Sequence, residues 1–210
     1  MSKPTGRRDE KKAETRQAIS NVATHLFVER GFDHVSVDEI AREAGVSRQT
    51  VFNYFPRKED LIFDREEEVR DLVRLALSER GKQSPVHTFA AWMRTLVATG
   101  HPLFAIGPRP VQFWRTVAES AVLTTRAREL QVTLADDLGQ MFADAVGRPH
   151  ADPDAKLSAA MLVSTVVVAY SDALRVFREG GDPGEALLGV LERGLGGVCA
   201  GFGGTVYVGE

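Results

Sequence analysis

The chain has one cysteine, Cys199, so it cannot form an internal disulfide framework. No H-E-x-x-H, G-x-S-x-G, P-loop or C-x-x-C pattern occurs, and histidines 25, 34, 87, 101 and 150 are scattered. Nucleophilic, metal-assisted and phosphate-loop catalysis therefore lack their usual residue sets, and neither an enzyme nor a bound cofactor or metal is expected. Residues 194–197 (GLGG) follow a helical pattern rather than a strand, which makes them a poor dinucleotide loop. Long apolar runs are also missing. The most apolar tract, residues 157–169, is short and broken by Ser158, Ser164 and Thr165, so no membrane partner is expected. No apolar segment follows the polar first residues as a secretion signal would, which predicts a cytoplasmic protein. Strand-like alternation is confined to residues 205–208.

What is present is concentrated in residues 36–61, SVDEIAREAGVSRQTVFNYFPRKEDL. Ser36 and Glu39 have the spacing of a capping box, in which side chain and backbone satisfy each other at a helix start. Val37, Ile40, Ala41 and Ala44 give the next turns one apolar face. Gly45 suits the left-handed conformation that ends such a helix. Ser47 then caps a second short helix, and Pro56 stops it by biasing Phe55 away from helical geometry. This pattern predicts a helix-turn-helix.

The second helix divides by period. Val51, Phe52 and Phe55 fall on a side that should pack inward. Gln49, Thr50 and Asn53 fall on the other, with Arg48 in the first turn. In such motifs the start of the second helix meets base edges in the major groove, where Arg suits guanine and Asn or Gln suits adenine. The hydroxyl of Tyr54 flanks this face, and Lys58 opens the next element, where an ammonium could hold a phosphate.

Residues 15–61 resemble the N-terminal domain of the TetR family of transcriptional regulators. The resemblance is carried by Thr15-Arg16, Ile19, Ala23, Leu26-Phe27, Gly31-Phe32, Ser36-Val37, Ile40-Ala41, Ala44 to Ser47, Thr50 to Phe55 and Lys58 to Leu61. It implies an all-α homodimer with an N-terminal three-helix DNA-binding domain and a larger helical domain for effector binding and dimerisation. It also implies DNA contacts from Ser36, Val37, Ser47, Arg48, Gln49, Thr50, Asn53, Tyr54 and Lys58.

Net charge supports this division. The whole chain carries −3, yet residues 1–58 hold eleven Lys or Arg against eight Asp or Glu. The basic end is the expected DNA side. Residues 1–9 read as a flexible basic arm, which either follows the DNA or simply solubilises the chain. Residues 10–57 are expected to form the DNA-binding domain, 58–203 the helical ligand-binding and dimerisation domain, and 204–210 a loosely docked or disordered tail. A fourth helix is expected to run from about residue 58 to 80, linking the two domains. Ser84 and Pro85 start the next, and later helices fall near 111–118, 123–146, 155–179 and 183–200.

The last two helices are rich in Ala, Gly and Val, which suits close helix packing; the resemblance assigns them to a homodimer interface. An effector pocket is harder to place. Trp92, Phe113 and Trp114 are the expected lining residues, among other aromatic and Met side chains that also suit a plain core. They favour a small hydrophobic or aromatic effector. The expected function is a ligand-responsive repressor on a palindromic, double-stranded DNA operator. The alternative is a DNA-binding architectural or interaction protein with no small-molecule effector.

Overall fold

The computed structural model describes residues 6–209. Its regular elements are all helical among those residues: α1 (Arg7–Arg30), α2 (Val37–Glu43), α3 (Arg48–Tyr54), α4 (Glu66–Ser78), α5 (Pro85–Ala98), α6 (Pro108–Glu119), α7 (Ala121–Val146), α8 (Pro153–Arg178) and α9 (Pro183–Phe202). They form two compact units, and the split differs from the expected one. The first unit holds the described residues through Arg65 together with Gln112–Ala127; the second holds Glu66–Val111 and the described residues from Arg128 onward. The chain thus returns to the first unit after residue 111, and α6 and α7 each contribute to both units.

In the first unit, Ile19, Ala23, Leu26 and Phe27 form the buried stripe of α1 that their spacing requires. They pack with Ile40, Val51, Phe55 and Leu61, and with Val117 and Leu123 from the returning segment. Gly31 ends α1 at φ +84°, a region that glycine enters without a side-chain clash. The helix begins at Arg7, so the flexible arm expected over residues 1–9 is already helical in its last three. The cause is local: residues 7–14 are almost all Arg, Lys, Glu and Ala, which favour helix without needing a packed face. Residues 1–5 of that arm lie outside the described residues.

The expected linking helix over residues 58–80 is broken. Lys58–Leu61 forms one 3₁₀ turn, and α4 starts only at Glu66. Leu61 and Ile62 are buried in the core of the first unit, whereas Val73 and Leu77 of α4 are buried in that of the second, so the two stretches serve different cores. Asp60 also pins the turn: one carboxylate oxygen accepts the Arg57 backbone N–H at 3.2 Å. The other meets Arg126 Nε of α7 at 3.0 Å. Glu66, Glu67 and Glu68 then occupy the first turn of α4, where carboxylates meet the positive end of the helix dipole.

The second unit is organised around the antiparallel pair α8 and α9. Ala155, Ala159, Ala169 and Ala173 of α8 are fully buried, facing a layer that includes Leu187, Leu191, Leu195 and Val198 of α9. Val73 and Leu77 of α4, Phe89 and Met93 of α5, and Leu138 and Phe142 of α7 complete this core. Arg70 joins α4 to α7 by donating to Asp137, and it also pairs with Glu66 at 3.3 Å. By length and composition alone α8 is apolar enough to cross a membrane. Lys156, Ser158, Ser164, Thr165, Ser171 and Asp172 interrupt it, and one face is committed to α9.

The tail departs most from expectation. Tyr207 is 1% exposed and packs into the second core, rather than lying loose. Its carbonyl accepts the Val86 backbone N–H at 3.1 Å, and the Val208 carbonyl lies 3.0 Å from His87 Nδ1. The start of α5 thereby gains partners for orphan donors. Burial chiefly, with the Asp152 carboxylate next, pushes the Tyr207 phenol up to about 12. A phenol with a raised pKa favours the folded state while it is neutral. That contribution is complete below the ordinary value of 10 and is lost as pH climbs from there to about 12. Urea unfolding of the wild type should therefore show a stability decline over this interval that Tyr207→Phe lacks. Parallel declines in both proteins would exclude Tyr207 as its source.

Candidate nucleic-acid interface

The capping box forms as the spacing requires. Ser36 Oγ accepts the Glu39 N–H at 3.2 Å, and Glu39 Oε2 accepts the Ser36 N–H at 2.8 Å. That backbone hydrogen bond is the main reason the Glu39 carboxyl is held below its ordinary value. Val37 is half-buried against the core, and Gly45 takes φ +66° in the turn. The Val46 N–H returns to the Ala41 carbonyl at 2.9 Å. Ser47 Oγ then accepts the Thr50 N–H at 3.0 Å and starts α3.

Helix α3 is anchored from beneath by Val51 and Phe55, each 1% exposed. Its far end is held from α1: Arg16 Nη1 donates to the Tyr54 carbonyl at 3.0 Å, and the guanidinium lies 4.3 Å from the Phe55 ring centre. Tyr54 is half-buried against the same core. Arg48, Gln49 and Asn53 remain exposed, while Thr50 is half-buried. The polar groups of this face engage one another. Gln49 Nε2 donates to Asn53 Oδ1 at 3.0 Å, and the Thr50 and Ser47 hydroxyls lie 2.8 Å apart. Arg48 Nη1 donates to Asp38 Oδ2 at 3.0 Å, with its guanidinium 5.5 Å from the Phe52 ring.

Two expected positions differ. Phe52 is only half-buried and lies under Arg48 instead of joining the core with Val51 and Phe55. A helix of seven residues gives the core room for one narrow stripe. Lys58 points its ammonium into the unit. Nζ donates to the Phe32 carbonyl at 2.5 Å and lies 4.1 Å from the Phe32 ring centre, so it is committed before any phosphate arrives. Burial lowers its pKa.

The expected effector trio is also divided. Trp92 belongs to the second unit, against Phe89 at 5.5 Å. Phe113 and Trp114 belong to the first, 5.4 Å apart, and Phe113 also meets Phe63 edge-on at 6.5 Å. The return of the chain at residue 112, which has no local signature, is the cause. In the second unit the Tyr170 hydroxyl donates to the Ala105 carbonyl at 2.8 Å. Sequence reading missed Arg16 and Asp38 as partners of α3. Arg16 fell within the recognised pattern, but its target could not be read from spacing.

Two short helices crossing at a glycine turn, the second anchored inward and polar outward, define a helix-turn-helix DNA-binding protein. Residues 19–64 match the family model described as "Bacterial regulatory proteins, tetR family". Over those residues the chain is similar to the N-terminal domain of that family. A candidate regulator of mycofactocin biosynthesis, MftR of Mycobacterium tuberculosis (strain ATCC 25618 / H37Rv), is 48% identical over 48 residues, covering 23% of this chain. The match spans 24% of that relative's own length. NalD, the secondary repressor of the MexAB-OprM multidrug efflux pump in Pseudomonas aeruginosa, is similar in fold at a TM-score of 0.57 and 22% identity. That likeness covers 88% of this chain and 96% of NalD. The SmeT–triclosan complex, SmeT being the repressor of the Stenotrophomonas maltophilia pump SmeDEF, gives a TM-score of 0.56 at 22% identity. It covers 88% of this chain and 91% of SmeT. These likenesses extend the fold beyond the N-terminal domain, and the proteins named are regulators rather than enzymes.

Proposed function

We propose that this protein is a cytoplasmic transcriptional repressor that binds a palindromic operator as a homodimer and is released by a small hydrophobic or aromatic effector. The observation that carries the reading is α3, which sets Arg48, Gln49 and Asn53 outward above the buried Val51 and Phe55. A seven-residue helix gives one half-site few base contacts. Two copies reading half-sites roughly 34–36 Å apart would supply the missing affinity. Leu157, Met161 and Val168 recur on one exposed face of α8, and Leu188 is exposed on α9, which supports association of these helices between subunits. The triclosan complex of SmeT supports an apolar effector by likeness of fold. Such a molecule acts only if it binds the released state more tightly than the operator-bound one.

Selection from random duplex DNA at two salt concentrations tests the reading. Recovery of an inverted repeat is the expected result. Binding without any preferred sequence, lost steeply as salt rises, would reduce the interaction to charge and defeat the proposal. On the recovered operator, Asn53→Ala should cost on the order of 1–3 kcal/mol at one base position. Lys58→Ala should act differently, lowering the unfolding midpoint while leaving the salt slope intact, because its ammonium serves Phe32. A fall of about one in that slope would return Lys58 to the phosphate contacts.

A further inference from the structure

We infer that Asp38 is a specificity-determining residue: it orients Arg48 for a paired hydrogen bond to guanine and keeps the same side chain off phosphates. The inference rests on the DNA-binding reading of α3. Asp38 lies in the first turn of α2, and its Oδ2 accepts Arg48 Nη1 at 3.0 Å across the helix-turn-helix. The Asp38 contact engages one edge of the guanidinium, while the Phe52 ring, 5.5 Å away, supports the group from another side. Nε and Nη2 are the nitrogens left for a side-on pair of hydrogen bonds to O6 and N7 of guanine.

Stability gives no reason for this ion pair. Both side chains are more than 60% exposed, 61% for Arg48 and 63% for Asp38, and such pairs add little to folding. Restraint of Arg48 is the larger consequence. A free arginine side chain samples many rotamers, and binding must freeze them; a side chain already held at one nitrogen has less to lose. The carboxylate also brings a negative charge to a face that approaches phosphates. It offers Arg48 a competing anion and repels the backbone, so Arg48 gains most where a base supplies a geometry that a phosphate does not.

The experiment compares wild type with Asp38→Asn, Asp38→Glu and Arg48→Ala on three duplexes: the selected operator, an operator altered at the base pair that Arg48→Ala identifies, and an unrelated sequence. Fluorescence anisotropy at several salt concentrations gives the affinities, and thermal melts confirm that each variant is folded. The wild type should discriminate at that position by about 10- to 100-fold, the range of a good paired contact. Asp38→Asn should lose most of that factor yet bind the unrelated duplex more tightly, with a log–log salt slope steeper by about 0.9, one phosphate's worth. Asp38→Glu should keep unrelated binding near wild type, because the charge remains. Undiminished discrimination in folded Asp38→Asn would overturn the inference. A uniform gain on all three duplexes would also overturn it, reducing Asp38 to bulk charge. A wild type that selects no sequence would instead remove the underlying DNA reading.

Discussion

Phe55→Ala should unfold the first unit at denaturant concentrations that leave the second unit folded, and it should abolish operator binding in the process. Phe55 is 1% exposed and closes the end of α3. Its backbone N–H reaches the Val51 carbonyl at 2.9 Å, its ring carries the Arg16 guanidinium at 4.3 Å, and it belongs to the core that includes Phe27, Ile40 and Leu61. Truncating a buried phenylalanine costs about 3–5 kcal/mol, part from lost transfer energy and part from the cavity left behind. A small domain is stabilised by only about 5–15 kcal/mol in total, so the loss is a large share. Arg16 would also lose the surface on which it rests while holding the Tyr54 carbonyl. Urea titration followed by circular dichroism should show an earlier first transition. Phe52→Ala, at a half-buried position outside that core, should move it much less. Equal shifts for the two phenylalanines would contradict the division of α3 into an inner and an outer face.

How much of this was legible in the sequence follows the range of the interactions. The capping box at Ser36 and Glu39, the Gly45 turn, the Ser47 cap and the Ser84–Pro85 start are each written within four residues, and each forms as expected. The break before α4 was not legible. Residues 58–80 carry a good helical pattern, and what that pattern leaves out is tertiary: Leu61 and Ile62 join a different core from Val73 and Leu77, and Asp60 pairs with Arg126, 66 positions away. The docked tail has the same origin, since its partners Val86 and His87 lie about 120 positions upstream. Lys58 shows a subtler failure. Its place in the pattern was evident, but whether an ammonium faces solvent or an aromatic pair depends on where Phe27 and Phe32 end up. The effector trio was divided for a topological reason, as local composition cannot show a chain re-entering an earlier unit.

Gly194→Leu should destabilise the second unit by about 3 kcal/mol, the upper part of the range for overpacking, and Gly194→Ala should cost less. Glycine in the middle of a helix is ordinarily a weakness: replacing it with alanine gains as much as ~1 kcal/mol from backbone entropy. Here the opposing effect is larger. A Cβ built on Gly194 would lie 2.8 Å from Thr165 Cβ, and closer still to that residue's methyl and hydroxyl. Rotation offers little escape. Thr165 is β-branched, so another rotamer substitutes one γ atom for the other, and its hydroxyl is already bonded to the Met161 carbonyl at 2.8 Å. Relief therefore requires α8 and α9 to separate. That would disturb the buried layer of Leu187, Leu191 and Leu195 against the alanines of α8. A double-mutant cycle isolates the contact. Gly194→Ala combined with Thr165→Gly should recover stability beyond the sum of the single changes, with a coupling of about 0.5–3 kcal/mol. If Gly194→Ala alone stabilised the protein, the helix propensity gain would have won, and the close approach of α8 and α9 at this point would not be what glycine is there to permit.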